Sequence, residues 1–119
     1  MGDRPAIGLL VNERIGDEQL ASVLNGIEEE QVPVELERSD ELNPLALAHT
    51  AAQLSRLGIG IGIALDFIVI TTEKLPAGSP YLATTLNRSV ALDRAAGADA
   101  ARLVKRMPLI DLTTLSNAD

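Results

Sequence analysis

Three consecutive carboxylates, Glu28-Glu29-Glu30, are the residues of this sequence whose type and spacing best suit metal chemistry. Carboxylate oxygens are hard ligands of the kind that bind Mg²⁺ and similar divalent cations. They follow a helical pattern of apolar residues, and negative charge at a helix C-terminus costs about 0.3–1 kcal/mol per exposed group. Two interpretations stay open here: a solvated helix end, or a ligand for a divalent cation held mainly by another chain.

A glycine-rich run, Gly58 to Ile63, invites comparison with a phosphate-binding loop. Such loops need their glycines at a strand-to-helix turn, and the P-loop type also needs a Gly-Lys-Ser/Thr step. The run is followed by another strand-like segment and lacks that lysine. We therefore interpret it as a buried strand whose glycines let a helix or a partner approach closely.

Other catalytic groups are scarce. His49 is the single histidine, with no second histidine or carboxylate at ligand spacing, and the chain has no cysteine. No serine lies in a Gly-x-Ser-x-Gly motif, so no nucleophile can be assigned with its base. The residues alone predict a small binding or regulatory module that is not an enzyme by itself and binds no cofactor by itself.

The composition of the 119 residues excludes further classes of protein. A net charge of −7, with one Phe, one Tyr and no Trp, argues against nucleic-acid binding, which draws on clustered cations and stacking aromatic rings. No run of about 18 apolar residues predicts a membrane span. We expect a soluble protein of the cytoplasm.

Periodicity and turn residues predict the order β-α-β-α-β-β-β-α. The first strand is expected at Ala6–Val11, followed by a helix with Asp17 as its N-cap and Leu20 to Ile27 on its apolar face. An edge strand at 32–37 precedes a helix that starts at Asn43-Pro44 and ends near Gly58. The remaining elements are strands at 59–64, 67–72 and 81–85, with a turn at Leu65-Asp66, and a helix at 89–105.

Interleaved strands and helices favour an α/β fold. The prediction is a three-layer-like sandwich of a mixed, mostly parallel sheet with helices packed on it. We expect one domain over residues 1–119, with a loose tail from about residue 110.

Three segments, in the same order and at similar spacing, resemble the small subunits of diol and glycerol dehydratase reactivases, which share a fold with the dehydratase medium subunit. The segment Ile27 to Pro33 is similar to that family's Leu-Glu-Glu-x-Gly-Val-Pro junction. Gly60 to Ile63, followed by Leu75-Pro76, resembles its Gly-Ile-Gly and Leu-Pro stretch. Gly97 to Lys105, followed by Pro108-Leu109, resembles its closing helix. The order and spacing of the segments agree with the family across nearly the whole chain.

The resemblance implies a function. In that family a large chaperone-like subunit binds and hydrolyses ATP, with Mg²⁺ and ATP or ADP at its nucleotide site. The small subunit exchanges with a subunit of the cobalamin-dependent dehydratase, which lets damaged cobalamin leave. The expected partners are thus the large ATPase subunit and a diol or glycerol dehydratase, in the cytoplasm or inside a bacterial microcompartment. The reactivase interpretation predicts an exposed apolar face around the Leu20–Ile27 helix or at the sheet edge, and when this face is vacant the isolated chain is expected to self-associate through it.

The resemblance also assigns residues. The second glutamate of the family's pair reaches a metal beside the large subunit's nucleotide site, and it matches Glu29. Ile27, Glu28 and Glu29 are accordingly the expected partner interface. Gln31 stands where the family has Gly, so we expect a different helix end there, and Asp99 replaces an Asn.

Two alternatives remain beside the reactivase subunit. The chain is either a medium-type structural subunit of the dehydratase itself or a free-standing α/β ligand-binding domain or small enzyme. The latter needs polar groups that converge at strand C-termini, where Asn12 and Asp66 are the candidates.

Overall fold

A computed structural model describes residues 5–105 of the chain. The elements are β1 (Ile7–Asn12), α1 (Asp17–Glu29), β2 (Val34–Ser39), α2 (Pro44–Leu54), β3 (Ile59–Ala64), β4 (Phe67–Thr72), β5 (Leu82–Thr85) and α3 (Val90–Lys105). Their order confirms the predicted one. The predicted loose tail lies outside the described residues.

The five strands form one mixed sheet in the order β2-β1-β3-β4-β5. Strands β2 and β3 both pair in parallel with β1, whereas β4 is antiparallel to β3 and to β5. Four strands therefore run in one direction and only β4 is reversed, as a mixed, mostly parallel sheet requires. The predicted β3–β4 hairpin is present, and its turn holds Leu65 at a positive φ of 56°.

The helices lie on both faces of the sheet. From β1 the chain crosses over α1 to β2 on one side, and from β2 it crosses back over α2 to β3. Right-handed crossovers in opposite directions place α1 and α2 on opposite faces. The main core lies between the sheet and the pair α1 and α3, where aliphatic side chains of alternate strand residues meet those of the helices.

The glycines of the sheet explain how closely α2 packs on it. A Cβ atom on Gly60 would lie 2.2 Å from Ala52 N, and one on Gly62 would lie 2.4 Å from Pro44 O. Gly8 of β1 is equally close to the same helix, with 2.5 Å to Ala51 O. The expected close approach of a helix to the glycine-rich strand is confirmed, and these glycines serve packing.

Three predicted boundaries are wrong for local reasons. Helix α2 ends at Leu54 and not near Gly58, because Ser55 adopts an extended conformation with φ −75° and ψ 132°. Gly16, not Asp17, is the N-cap of α1, and its N–H donates to Gln19 Oε1 at 2.9 Å. The second strand begins at Val34 and not at Val32, because residues 30–33 carry the chain out of α1.

Candidate partner interface

The C-terminal end of α1 carries the three carboxylates, which we call the acidic corner (Glu28, Glu29 and Glu30). A glycine contact with α3 fixes its position. A Cβ on Gly26 would lie 2.0 Å from Arg94 O, and one on Gly97 would lie 2.1 Å from Val23 O. The backbones of α1 and α3 are therefore in direct contact one turn before the acidic corner.

A residue in the left-handed conformation, Gln31, follows the end of helix α1. Glu30 N–H donates to Ile27 O at 3.1 Å, and Gln31 N–H donates to Glu28 O at 2.9 Å. Gln31 has φ 61°, a conformation that glycine adopts without strain and other residues adopt at a cost. Gln31 thus takes up the left-handed conformation that glycine favours at a helix end, and whether the relatives' helix ends differently stays a prediction.

Glu30 is neutralised inside the chain. Arg102 Nε and Lys105 Nζ of α3 each donate to its carboxylate at 3.2 Å, and its side chain is only 15% exposed. The hydrogen bond from Lys105 lowers the pKa of Glu30 most, burial opposes this shift, and Arg102 lowers the pKa further. These cations offset part of the unfavourable interaction between the carboxylates and the helix dipole.

Glu29 is more accessible than Glu30. Its Oε1 lies 3.9 Å from Arg94 Nε, and its side chain is 57% exposed. An exposed pair at that distance is weak, so Glu29 can exchange Arg94 for a stronger cationic partner. Within the acidic corner, Glu30 is therefore held in a structural contact, whereas Glu29 is accessible for binding a cation.

Glu28 lies beside a shallow apolar recess. The recess is lined by Leu24, Val32, Pro33, Val34 and Glu28 itself, between α1 and the start of β2. Glu28 is exposed. A partner that contacts Glu28 and Glu29 would therefore also meet apolar surface.

Ile27, the third residue of the expected partner interface, is not at the surface. Its side chain is fully buried in the core between α1, α3 and the sheet. It supports the acidic corner from beneath but presents no surface, so a partner contact at this corner uses Glu28 and Glu29. The apolar face from Leu20 to Ile27 is likewise covered, because Leu20 and Val23 are buried in the same core.

Asn12 and Asp66, the polar candidates for a ligand-binding site at the strand ends, make contacts within the fold. Asn12 Nδ2 donates to Glu41 O at 2.8 Å, and its Oδ1 accepts from Arg14 N at 3.0 Å. Asn12 thereby joins the turns that follow β1 and β2. Asp66 occupies the exposed β3–β4 turn and accepts from Leu86 N through its carbonyl at 2.8 Å. His49 packs half-buried on α2, with no described partner for Nδ1.

A metal at the acidic corner needs ligands from outside. Within residues 5–105, no three His, Cys, Asp or Glu side chains come together as a metal site. Glu29 offers carboxylate oxygens of the type that Mg²⁺ prefers, so it fits the role of a single ligand to an ion held by another chain. Since Arg102 and Lys105 already neutralise Glu30, that carboxylate does not require a metal to balance its charge.

The basic residues of α3 are what sequence reasoning missed. Arg102 and Lys105 are three residues apart, which places them on one face of a helix. That spacing could have identified a cationic stripe but not the helix it faces.

The described helices include none that is long and apolar enough to cross a bilayer.

The fold and the acidic corner define a small α/β protein that carries exposed carboxylates at the end of a tightly packed helix pair. Residues 4–110 match the dehydratase medium subunit family model. The chain belongs to the dehydratase medium subunit family.

Two relatives illustrate the similarity. The diol dehydratase-reactivating factor small subunit of Klebsiella michiganensis is 34% identical over 110 residues, which cover 92% of this chain and 87% of that protein. The propanediol dehydratase-reactivating factor small subunit of Citrobacter freundii is 36% identical over 86 residues, 72% of this chain and 74% of that one.

Solved structures agree with these relatives. A diol dehydratase-reactivating factor complexed with ADP and Mg²⁺ contains a chain that is 33% identical, with a TM-score of 0.85 and coverage of 92% of this chain and 100% of that one. A glycerol dehydratase reactivase chain is 31% identical, also with a TM-score of 0.85, over 92% and 99%. The family resemblance read from three sequence segments is confirmed.

Proposed function

We propose that this chain is the small, non-catalytic subunit of a diol or glycerol dehydratase reactivase. It binds a large chaperone-like ATPase subunit and exchanges with a dehydratase subunit, so that damaged cobalamin is released. The observation that supports this most is the match to the whole length of a reactivase subunit chain at 33% identity and a TM-score of 0.85.

The acidic corner supplies the contact to the large subunit. Glu29 is exposed and only weakly paired with Arg94, so its carboxylate is available as a ligand in trans to Mg²⁺ at the large subunit's nucleotide site. Magnesium holds few protein ligands and keeps the rest as water and phosphate oxygens, which suits a single glutamate from a second chain. Glu28 and the recess beside it complete the contact.

The exchange step depends on the similarity in shape between this chain and a dehydratase subunit. A chain with the dehydratase medium subunit fold can occupy the place of a dehydratase subunit, and the ATPase subunit drives the exchange. The nucleotide and Mg²⁺ belong to the large subunit, as does the chemistry of ATP hydrolysis. The expected setting is the cytoplasm or a microcompartment within it.

Reconstitution tests this function. Dehydratase inactivated with damaged cobalamin is incubated with the purified large subunit, ATP, Mg²⁺ and fresh coenzyme, with and without this chain. We expect reactivation only when the chain is present, and no ATP hydrolysis by the chain alone. Stable co-purification with the catalytic dehydratase subunits, with no effect on reactivation, would instead identify it as a medium-type structural subunit.

A further inference from the structure

Strand β2 leaves one edge of the described sheet open. Among residues 5–105 it pairs only with β1, and the carbonyls of Pro33 and Ser39 point to that neighbour, accepting from Ile7 N at 2.9 Å and Glu13 N at 2.8 Å. In a parallel ladder the backbone groups of alternate residues point to opposite sides. The N–H and C=O groups of Val34, Leu36 and Arg38 therefore point outward from the sheet.

One face of this edge is acidic. Glu35 and Glu37 pair with Gly8 and Leu10 of β1 in the sheet register, which places their exposed side chains on the α2 side. A cleft of about 250 Å³ runs between them and α2, lined by apolar residues such as Leu10, Ala51 and Leu54. Leu54 is 70% exposed. The cleft lies beside α2, which packs on the glycines of β1 and β3.

The other face of the edge is aliphatic. Val34 is half-buried against the core, and Leu36 is 38% exposed. Arg38 is already engaged, because it pairs with Asp17 and donates to Ile15 O. A strand added here would meet carboxylates on one face and aliphatic side chains on the other.

We propose that the β2 edge binds an extended segment of the large subunit in which Lys or Arg residues alternate with aliphatic residues. The cations lie over Glu35 and Glu37, and the aliphatic side chains lie beside Val34 and Leu36. Main-chain hydrogen bonds to an open edge give affinity, and alternate side chains give specificity. This inference rests on the proposed function for the identity of the partner.

Two features favour the large subunit, and not a second copy of this chain, as the partner that binds the β2 edge. An antiparallel pair of β2 edges centred on Leu36 would place Glu35 of each copy opposite Glu37 of the other, and like charges in that position are destabilising. In addition, β2 follows directly from the acidic corner through the recess at Val32, Pro33 and Val34. One partner can therefore cover both.

The test uses the purified large subunit and amide hydrogen exchange on the wild-type complex. The amides of Leu36 and Arg38, which point outward, exchange fast in the free chain. We expect them to become protected in the complex. If the complex forms but these amides stay unprotected, the inference is wrong and the proposed function is unaffected.

Two variants test the same contact through affinity. Leu36→Pro removes an outward N–H that makes no bond within the sheet, and an edge strand tolerates proline at such a position. Glu35→Lys with Glu37→Lys reverses the acidic face. We expect each to weaken binding roughly tenfold or more, with Glu13→Lys as the control that changes it far less.

Wild-type affinity in both variants contradicts the inference. A wild-type chain that forms no complex with the large subunit contradicts the proposed function and, with it, the assigned occupant of the edge.

Discussion

Glu29 and Glu30 are neighbours in sequence but differ in what they are free to do. Glu30 is held by two cations of α3, whereas Glu29 faces solvent with Arg94 Nε at 3.9 Å. Only the second arrangement leaves carboxylate oxygens for another chain. The difference arises where α1 ends: Glu30, the C-cap residue, meets Arg102 and Lys105, whereas Glu29, the last helical residue, lies beside the exposed Arg94 of α3.

At this scale we predict the effect of Glu29→Gln on binding to the large subunit. The amide keeps the size of the side chain but is a poor ligand for Mg²⁺, so affinity in Mg²⁺ and ADP should fall roughly 10- to 100-fold, the loss of one charged contact. Binding is measured by calorimetry with Mg²⁺ or with EDTA. In the variant, EDTA should have no further effect.

Glu13→Gln is the matched control for this prediction, since Glu13 is an exposed carboxylate in the turn that precedes α1, away from the acidic corner. It should bind like wild type. A Glu29→Gln chain that retains the full difference between Mg²⁺ and EDTA would remove Glu29 from the metal site.

At the scale of elements, the α1–α3 pair depends on two glycines at the crossing. Gly26 and Gly97 each face a carbonyl oxygen of the other helix, and a Cβ would approach it to 2.0 and 2.1 Å. Backbone atoms cannot move away as a flexible side chain would. The helices can cross this closely only because neither position carries a side chain.

We therefore predict that Gly26→Ala and Gly97→Ala each lower the free energy of unfolding by about 3 kcal/mol or more, the upper range of overpacking. Gly78→Ala is the control, because a Cβ there meets no atom within 4 Å and should leave stability nearly unchanged. Urea unfolding measures all three. Equal stability of the variants and wild type would mean that the helices are farther apart than described.

At the scale of the whole molecule, one ion-pair group joins parts of the chain that are distant in sequence. Glu30 is 72 residues from Arg102 and 75 from Lys105, so the group forms only when α3 packs against α1. Its contribution to stability therefore depends on the native fold. It also depends on pH, since the pKa of Glu30 is lowered in the folded chain.

The sign of the pH dependence follows from that shift. A carboxyl with a folded pKa below its ordinary value of 4.5 stabilises the fold above that value and loses the effect as pH falls through the folded pKa. We predict that Glu30→Gln is less stable than wild type at neutral pH and that the difference shrinks as the solution is acidified below about pH 4.5.

Urea unfolding at several pH values checks this prediction, with Glu13→Gln as a variant that should show no such difference. A gap between Glu30→Gln and wild type that stays constant into acid would mean that its cause is not the charge of Glu30.

Most of the fold follows from local sequence signals. Turn residues and apolar periodicity predict all eight elements, and the glycines of β3 predict the close approach of a helix, because each of these effects acts over a few residues. The boundaries at Gly16 and Val34 do not follow, since they depend on how the chain leaves one element for the next. The likeness to a family motif also indicated the acidic corner as the candidate site, and its role in binding a partner or a metal stays a prediction.

The sequence by itself therefore determined the element order, the α/β class and the family. Only the tertiary structure decided which carboxylate of the acidic corner is available, that Ile27 is buried, and that β2 keeps an open acidic edge. Each of these depends on groups that meet across the fold, such as Glu30 with α3 and Glu35 with the cleft beside α2. Contacts between distant segments are set by how helices and strands pack, which no local pattern of residues encodes.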